Sequence, residues 1–270
     1  MVPMREFPQL LSDFFGKHLR SRGGMSENTA RTYRDSFVRL LEYMRDVRHV
    51  APDEVAMSDL GPETICSFLD WLESDLGVSV STRNNRLAAI RSFFKFVSLA
   101  EPAHLALCSS VMFIGRKKGA TVTIDYLSVE AVRYLLSLPD AEDRKQLRAL
   151  CVIALLYESG ARASELCGVM GRDLRIAAPS TLLLHGKGGR DRIVPIDPSV
   201  AGLLRRYADE FAVSPGGPFF YNARGEALTR EGVAYILKSW FAKAKAARPD
   251  LFPDKISPHC MRHSRAMHLL

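Results

Sequence analysis

Apolar residues recur every three or four positions through most of the first hundred residues, a spacing that suits packed helices. Ala30, Tyr33, Phe37, Leu40, Leu41 and Met44 form one stripe, with a cap expected at Ser26-Glu27-Asn28. Gly61-Pro62-Glu63 opens a second helix, with Ile65, Phe68, Leu69 and Leu72 facing inward and Gly77 closing it. A third starts near Ser81-Thr82 and carries Leu87, Ile90, Phe94 and Val97. A small all-α domain over residues 1–100 follows.

Residues 101–123 are expected to be a linker, because they hold Pro102, the Cys108-Ser109-Ser110 run and the basic stretch Gly115-Arg116-Lys117-Lys118-Gly119. That basic stretch fits a solvated loop and a phosphate-contacting strap equally well. From residue 124 to 270 the texture is mixed. Ser128 caps a helix through Leu136, and Leu147–Glu158 is a strongly apolar helix stopped by Ser159-Gly160. Thr181–Leu184 and Arg192–Ile196 are two short strands around the glycine-rich turn Gly186-Lys187-Gly188-Gly189-Arg190. Further helices span about Ser199–Ala212 and Thr229–Ala246. The last helix begins at Ser257-Pro258, with Ser as cap and Pro at the first helical position. The fold class is mainly α with a small β element.

Composition narrows the function. The 270 residues are 47% hydrophobic, enough for a real core, and carry a formal net charge of +7. An excess of Lys and Arg favours a polyanionic partner, because each cation set against a phosphate releases counterions. Five scattered cysteines without a C-x-x-C pair fit neither a disulfide framework nor a zinc finger, and they point to a reducing cytoplasmic compartment. No apolar run approaches the roughly 18 residues of a membrane helix, and the first residues show no signal-peptide pattern.

Three groups can carry chemistry. Arg162 sits at the turn after the apolar helix, three residues before Glu165. The pair suits either an anchored anion-binding guanidinium or a local ion pair tidying a helix start. Lys187 stands at the tip of a turn, where a flexible ammonium can deliver a proton to a leaving oxygen or simply be solvated. The G-x-x-x-x-G-K-[ST] pattern of a phosphate-binding loop is absent there. His259 and Arg262, three apart at a helix N-terminus, project to one side as a clamp for phosphate or carboxylate. His259 and His263, with Cys260, also have the i, i+4 spacing of a metal pair, but no acidic residue lies nearby to complete a ligand set. Cations without a carboxylate pair, a Ser-His-Asp triad or a metal cage suit the stabilisation of negative charge on phosphorus.

These motifs, in this order, resemble the tyrosine recombinase (phage integrase) family of the Xer-like kind. The resemblance rests on Gly160-Ala161-Arg162-Ala163-Ser164-Glu165-Leu166, Gly186-Lys187-Gly188 followed by Arg192-Ile193-Val194-Pro195-Ile196, and Ser257-Pro258-His259-Cys260-Met261-Arg262-His263-Ser264. Thr82-Arg83-Asn84-Asn85-Arg86-Leu87 with Ile90-Arg91-Ser92-Phe93-Phe94 resembles the family's N-terminal helical, SAM-like core-binding domain. The resemblance implies that Arg162 and Arg262 clamp the scissile phosphate and that His259 bonds a non-bridging oxygen. It further implies that Lys187 is the general acid for the departing 5′ oxygen and that Glu165 supports the first arginine. A tyrosine then forms a 3′-phosphotyrosyl link, with neither metal nor ATP as cofactor.

The partner implied is a double-stranded DNA recombination site, bound by a homotetramer on paired sites. The contacts would come from Arg83, Arg86, Arg91 and Lys95 on the third helix and from Arg116, Lys117 and Lys118. Two features depart from the family. None of the eight tyrosines follows Arg262, so none matches the nucleophile by order, and Arg265 stands where an aromatic or apolar residue is usual. The sequence therefore predicts a recombinase chain that lacks the family's C-terminal segment and is monomeric off DNA. The alternative is a non-catalytic relative that occupies recombination sites, and a metal-dependent hydrolase using His259 and His263 is a third possibility.

Overall fold

The computed structural model describes residues 5–19, 27–119, 126–186 and 189–270. Two compact units divide the chain, Met1–Thr121 and Val122–Leu270.

The first unit has helices joined by short connections and no strand among its described residues. Its helices are α1 (Phe7–Asp13, running into a π-helical turn Phe14–His18), α2 (Glu27–Asp46), α3 (Pro62–Ser74), α4 (Val80–Ala100) and α5 (Leu105–Met112). The expected stripes face one another: Phe37, Leu40, Ile65, Phe68, Leu87, Ile90 and Phe94 are all buried in one core. Each such side chain contributes about 1.5–3 kcal/mol on leaving water. Pro62 occupies the first turn of α3, and Gly77 takes the left-handed conformation beyond its end. The cap expected at Ser26 lies outside the described residues. Helix α4 starts slightly before its expected position, capped by Ser79, whose hydroxyl accepts from the Thr82 N–H.

The expected linker does not hold over its first half. Residues Pro102–His104 form a 3-10 turn and α5 follows at once, with Cys108 and Val111 buried in the first unit's core. Leu107, Cys108, Val111 and Met112 make a short helical stripe, hidden in the sequence by Pro102 and the small polar residues between them. Residues 120–123 of that stretch lie outside the described residues.

The second unit packs α6 (Val129–Ser137), α7 (Arg144–Ser159), α8 (Ala163–Cys167), α9 (Pro198–Glu210), α10 (Arg230–Ala247) and α11 (Pro258–His268) with a three-stranded antiparallel sheet. The strands are β1 (Leu174–Arg175), β2 (Thr181–Leu184) and β3 (Arg192–Pro195), in that order. β1 has no counterpart among the expected elements; at two residues it has no periodicity to detect. The apolar α7 is the centre of the core: Leu147, Cys151, Val152, Ile153, Leu155 and Leu156 are buried. Ser128 and Ser257 cap α6 and α11 as expected, accepting from Ala131 N–H and Cys260 N–H. Ser264, fully buried on α11, accepts the Leu127 N–H at 2.8 Å and thereby ties the entry of this unit to its last helix.

Candidate functional site

The apolar helix α7 ends because Gly160 adopts a left-handed conformation, φ 56°, which directs the chain back into α8. Arg162 is the residue before α8, in extended conformation, and its backbone N–H donates to Glu165 Oε2 at 2.9 Å. Its guanidinium Nη1 donates to Glu165 Oε1 at 2.7 Å. Arg192, at the start of β3, donates through Nη2 to Glu165 Oε2 at 2.7 Å. Arg262, on α11, lies 3.9 Å from the same oxygen and donates to the Gly160 carbonyl at 2.6 Å. One buried carboxylate thus gathers three guanidinium groups from three elements. The Glu165 side chain is 4% exposed, whereas those of Arg162, Arg192 and Arg262 are 49%, 35% and 36% exposed.

Burial pushes the Glu165 carboxyl up, and the hydrogen bonds from Arg192 and Arg162 more than reverse this, holding it at about 2. It is ionised at neutral pH. Arg262 also titrates away from its ordinary value: burial and the positive charges of Arg162 and Arg192 lower its pKa. That mutual repulsion marks a cluster of cations that an added anion would stabilise. Beside it, a hollow of about 360 Å³ is lined by Gly160, Arg192, Val194, Arg262, Arg265 and Leu269. Arg265, the departure from the family pattern, is accommodated by donating to Glu158 Oε1 at 3.1 Å, with its guanidinium above the Tyr157 ring.

His259 is exposed in the first turn of α11, one helical turn before Arg262. Lys187 lies outside the described residues. The hairpin that carries it closes through Gly186 N–H to the Arg190 carbonyl at 3.1 Å. A Cβ at Gly186 would stand 2.1 Å from that carbonyl oxygen, so only glycine fits there. His185, just before the turn, lies between Asp191 (2.9 Å) and Asp173 (3.5 Å), and the hydrogen bond with Asp191 raises its pKa. No group of three or more His, Cys, Asp and Glu among the described residues is placed to hold a metal ion, so His259, Cys260 and His263 gain no further ligand there.

Two residues stand differently from expectation. Arg192 is not among the expected site residues because its contact with Glu165 spans 27 positions; only its place in a short strand is visible in the sequence. Arg83 is 7% exposed and turned inward, with its Nε 3.5 Å from Glu73 Oε2. The reason is spacing: Arg83 lies four residues before Leu87, on the buried stripe of α4. Its reading as a DNA contact is therefore corrected. Of the other cations expected there, Arg86 donates to the Asp35 carbonyl at 3.2 Å and Arg91 to the Met112 carbonyl at 2.7 Å. Lys117 pairs with Glu73 at 2.7 Å. Lys95, Arg116 and Lys118 are exposed, with no ion pair among the described residues.

Residues 125–270 match the phage integrase family, and residues 13–100 match the phage integrase N-terminal SAM-like domain. The chain belongs to the phage integrase family. Across 257 residues this integrase-family chain is 33% identical to the putative integrase/recombinase y4rD of Sinorhizobium fredii, covering 94% of the chain and 92% of that protein. It is 30% identical over 273 residues to the tyrosine recombinase XerC of Pelobacter propionicus, covering 95% and 80% respectively. Among solved structures, the Tn1549 transposon integrase in complex with transposon right end DNA superposes with a TM-score of 0.72 at 18% identity, over 96% of this chain and 86% of that one. XerH bound to difH substrate gives 0.67 at 20% identity, over 97% and 72%. The fold is that of the tyrosine recombinases, and by family the chain is a recombinase-type enzyme. No helix among the described residues is long and apolar enough to cross a membrane.

Proposed function

We propose that this chain acts in site-specific recombination or integration on duplex DNA in the cytoplasm, holding one backbone phosphodiester between Arg162 and Arg262. The observation that carries this reading is the meeting of two arginines, 100 positions apart in sequence, on the buried Glu165 carboxylate. Their half-exposed guanidinium groups can each offer N–H donors to a non-bridging oxygen in the fork geometry that phosphate favours. His259, one turn along α11, would bond the same phosphate. When a tyrosine gives its hydroxyl proton to water and its oxygen attacks phosphorus, the phosphorus–5′ oxygen bond breaks, a 3′-phosphotyrosyl bond forms and the departing 5′ oxygen takes a proton from Lys187. Attack by a second 5′ hydroxyl reverses the step and rejoins the strands, so the bond energy is kept and no nucleotide is consumed. The SAM-like unit would grip the duplex through Lys95, Arg116 and Lys118, and paired sites would be held by a homotetramer.

The hold on the phosphate is testable without cleavage. A duplex selected from a random pool for tight binding is resynthesised with each linkage in turn replaced by neutral methylphosphonate. One linkage should show a sharp loss of affinity that Arg162→Gln and Arg262→Gln each erase, while affinity for the remaining duplex persists. A flat profile, in which every linkage weakens binding alike, would mean general charge attraction and no scissile-phosphate site. A nicked version of the same duplex, run on denaturing gels, separates cutting from mere occupancy of the site.

A further inference from the structure

We infer that Arg192 is a positioning residue of this cluster: through Glu165 it fixes the two phosphate-facing arginines and ties the Lys187 hairpin to them. The inference rests on the proposed function of the site.

Arg192 makes the shortest side-chain contact to Glu165 Oε2, at 2.7 Å, the same oxygen that receives the Arg162 N–H at 2.9 Å and lies 3.9 Å from Arg262. Oε1 is left to the Arg162 guanidinium. The two oxygens are therefore divided: one orients Arg162, and the other is held by Arg192. Without Arg192, Oε2 would keep a single backbone donor, and the Arg262 guanidinium would be drawn from the Gly160 carbonyl towards it. A guanidinium bound bidentately to its own carboxylate has fewer N–H groups left for a phosphate.

The position of Arg192 in the fold adds the second half of the role. It pairs in register with Leu184 at the last rung of the β2–β3 ladder, and residues 185–191 connect the two strands in sequence. A bond from Arg192 to Glu165 therefore anchors the base of the hairpin that carries Lys187 to the turn that carries Arg162. Arg192 also contributes to the repulsion that lowers the Arg262 pKa, so its charge is felt where the phosphate would sit. A surface arginine placed only for solubility would have none of these three connections.

The experiment uses the whole chain and the selected duplex, with phosphate or methylphosphonate at the discriminating linkage. Arg192→Gln is expected to reduce the phosphate-over-methylphosphonate preference about tenfold, the consequence of losing one charge-assisted hydrogen bond. Affinity for the methylphosphonate duplex should stay unchanged. Arg192→Lys, which keeps the charge, should recover part of the preference. In a Glu165→Gln background, Arg192→Gln should have little further effect, because both act through one carboxylate. Equal weakening on both duplexes would make Arg192 a general charge contact, and an undiminished preference would make it a bystander; either overturns the inference. If the unsubstituted chain itself shows no preference at any linkage, the proposed function fails first. Thermal melts of each variant identify any that do not fold, and Arg192→Lys then carries the test.

Discussion

Glu165→Gln is the single change with the most to say about this chain. Glutamine preserves the shape and one acceptor oxygen but removes the negative charge shared by Arg162, Arg192 and Arg262. Burial would push the carboxyl up, yet the hydrogen bonds from Arg192 and Arg162 hold it at about 2 against an ordinary 4.5. That difference corresponds to at most about 3 kcal/mol of folding stability. The arginine partners are a third to a half exposed, so solvent screening reduces the figure to about 1–2 kcal/mol. For a unit of this size, such a loss lowers the melting temperature by about 3–6 °C. A carboxyl depressed in the folded state stabilises fully above its ordinary value and loses that contribution as pH falls through its folded value. The melting gap between the two proteins should therefore be widest near pH 7 and shrink between about pH 4.5 and 2. Differential scanning calorimetry at pH 7 and pH 3 measures it. Equal melting at pH 7, or a gap that stays constant down to pH 3, would refute the assignment of Glu165 as the ionised centre of the cluster.

One comparison of two variants and one pH effect are also expected. Arg83→Ala should lower the stability of the first unit while leaving the salt dependence of duplex binding unchanged, since Arg83 faces Glu73 inside the fold. Arg116→Gln combined with Lys118→Gln should instead leave stability alone and flatten the slope of log affinity against log salt by roughly 0.9 for each phosphate no longer neutralised; filter binding across salt concentrations separates the two cases. His185, raised by its hydrogen bond to Asp191 and then by Asp173, stabilises the strand end most below its ordinary value of 6.5 and less as pH rises through its higher folded value. His185→Ala should therefore speed amide exchange at Leu184 and Arg192 in mildly acidic buffer, and the difference from the unsubstituted chain should fade in alkaline buffer.

Much of the fold is legible in the sequence because helices announce themselves locally. Phe37, Leu40, Ile65, Phe68, Leu87 and Phe94 each report their burial through spacing within a single helix, and Ser128 and Ser257 mark helix starts through a bond three residues away. The pairing of Arg162 with Glu165 is visible for the same reason. What stays hidden depends on contacts across sequence. The Arg192–Glu165 bond joins a strand to a helix start, and nothing in either local pattern requires the other. Helix α5 is obscured because its stripe is only eight residues long and half of it is Cys, Ser and Ala. The chemistry of Arg83 suggests a DNA contact, although its spacing to Leu87 already places it inward; where residue type and periodicity conflict, periodicity is the better guide.

On the proposed function, the arrangement also bears on why a carboxylate would belong in a site that takes an anion. Three guanidinium groups and one carboxylate leave two positive charges at this point. A phosphodiester carries one negative charge at rest and gains a second as an ionised oxygen adds to phosphorus. Under the proposed function, this surplus of two would match the five-coordinate state more closely than the resting diester, before any contribution from His259 or Lys187. Without Glu165 the surplus would be three and the arginines would be pushed apart; with a second carboxylate it would be one, suited to the ground state. Because Glu165 is buried and ionised at neutral pH, the surplus is present in the free chain, and under the proposed function it would already be in place as charge develops on phosphorus.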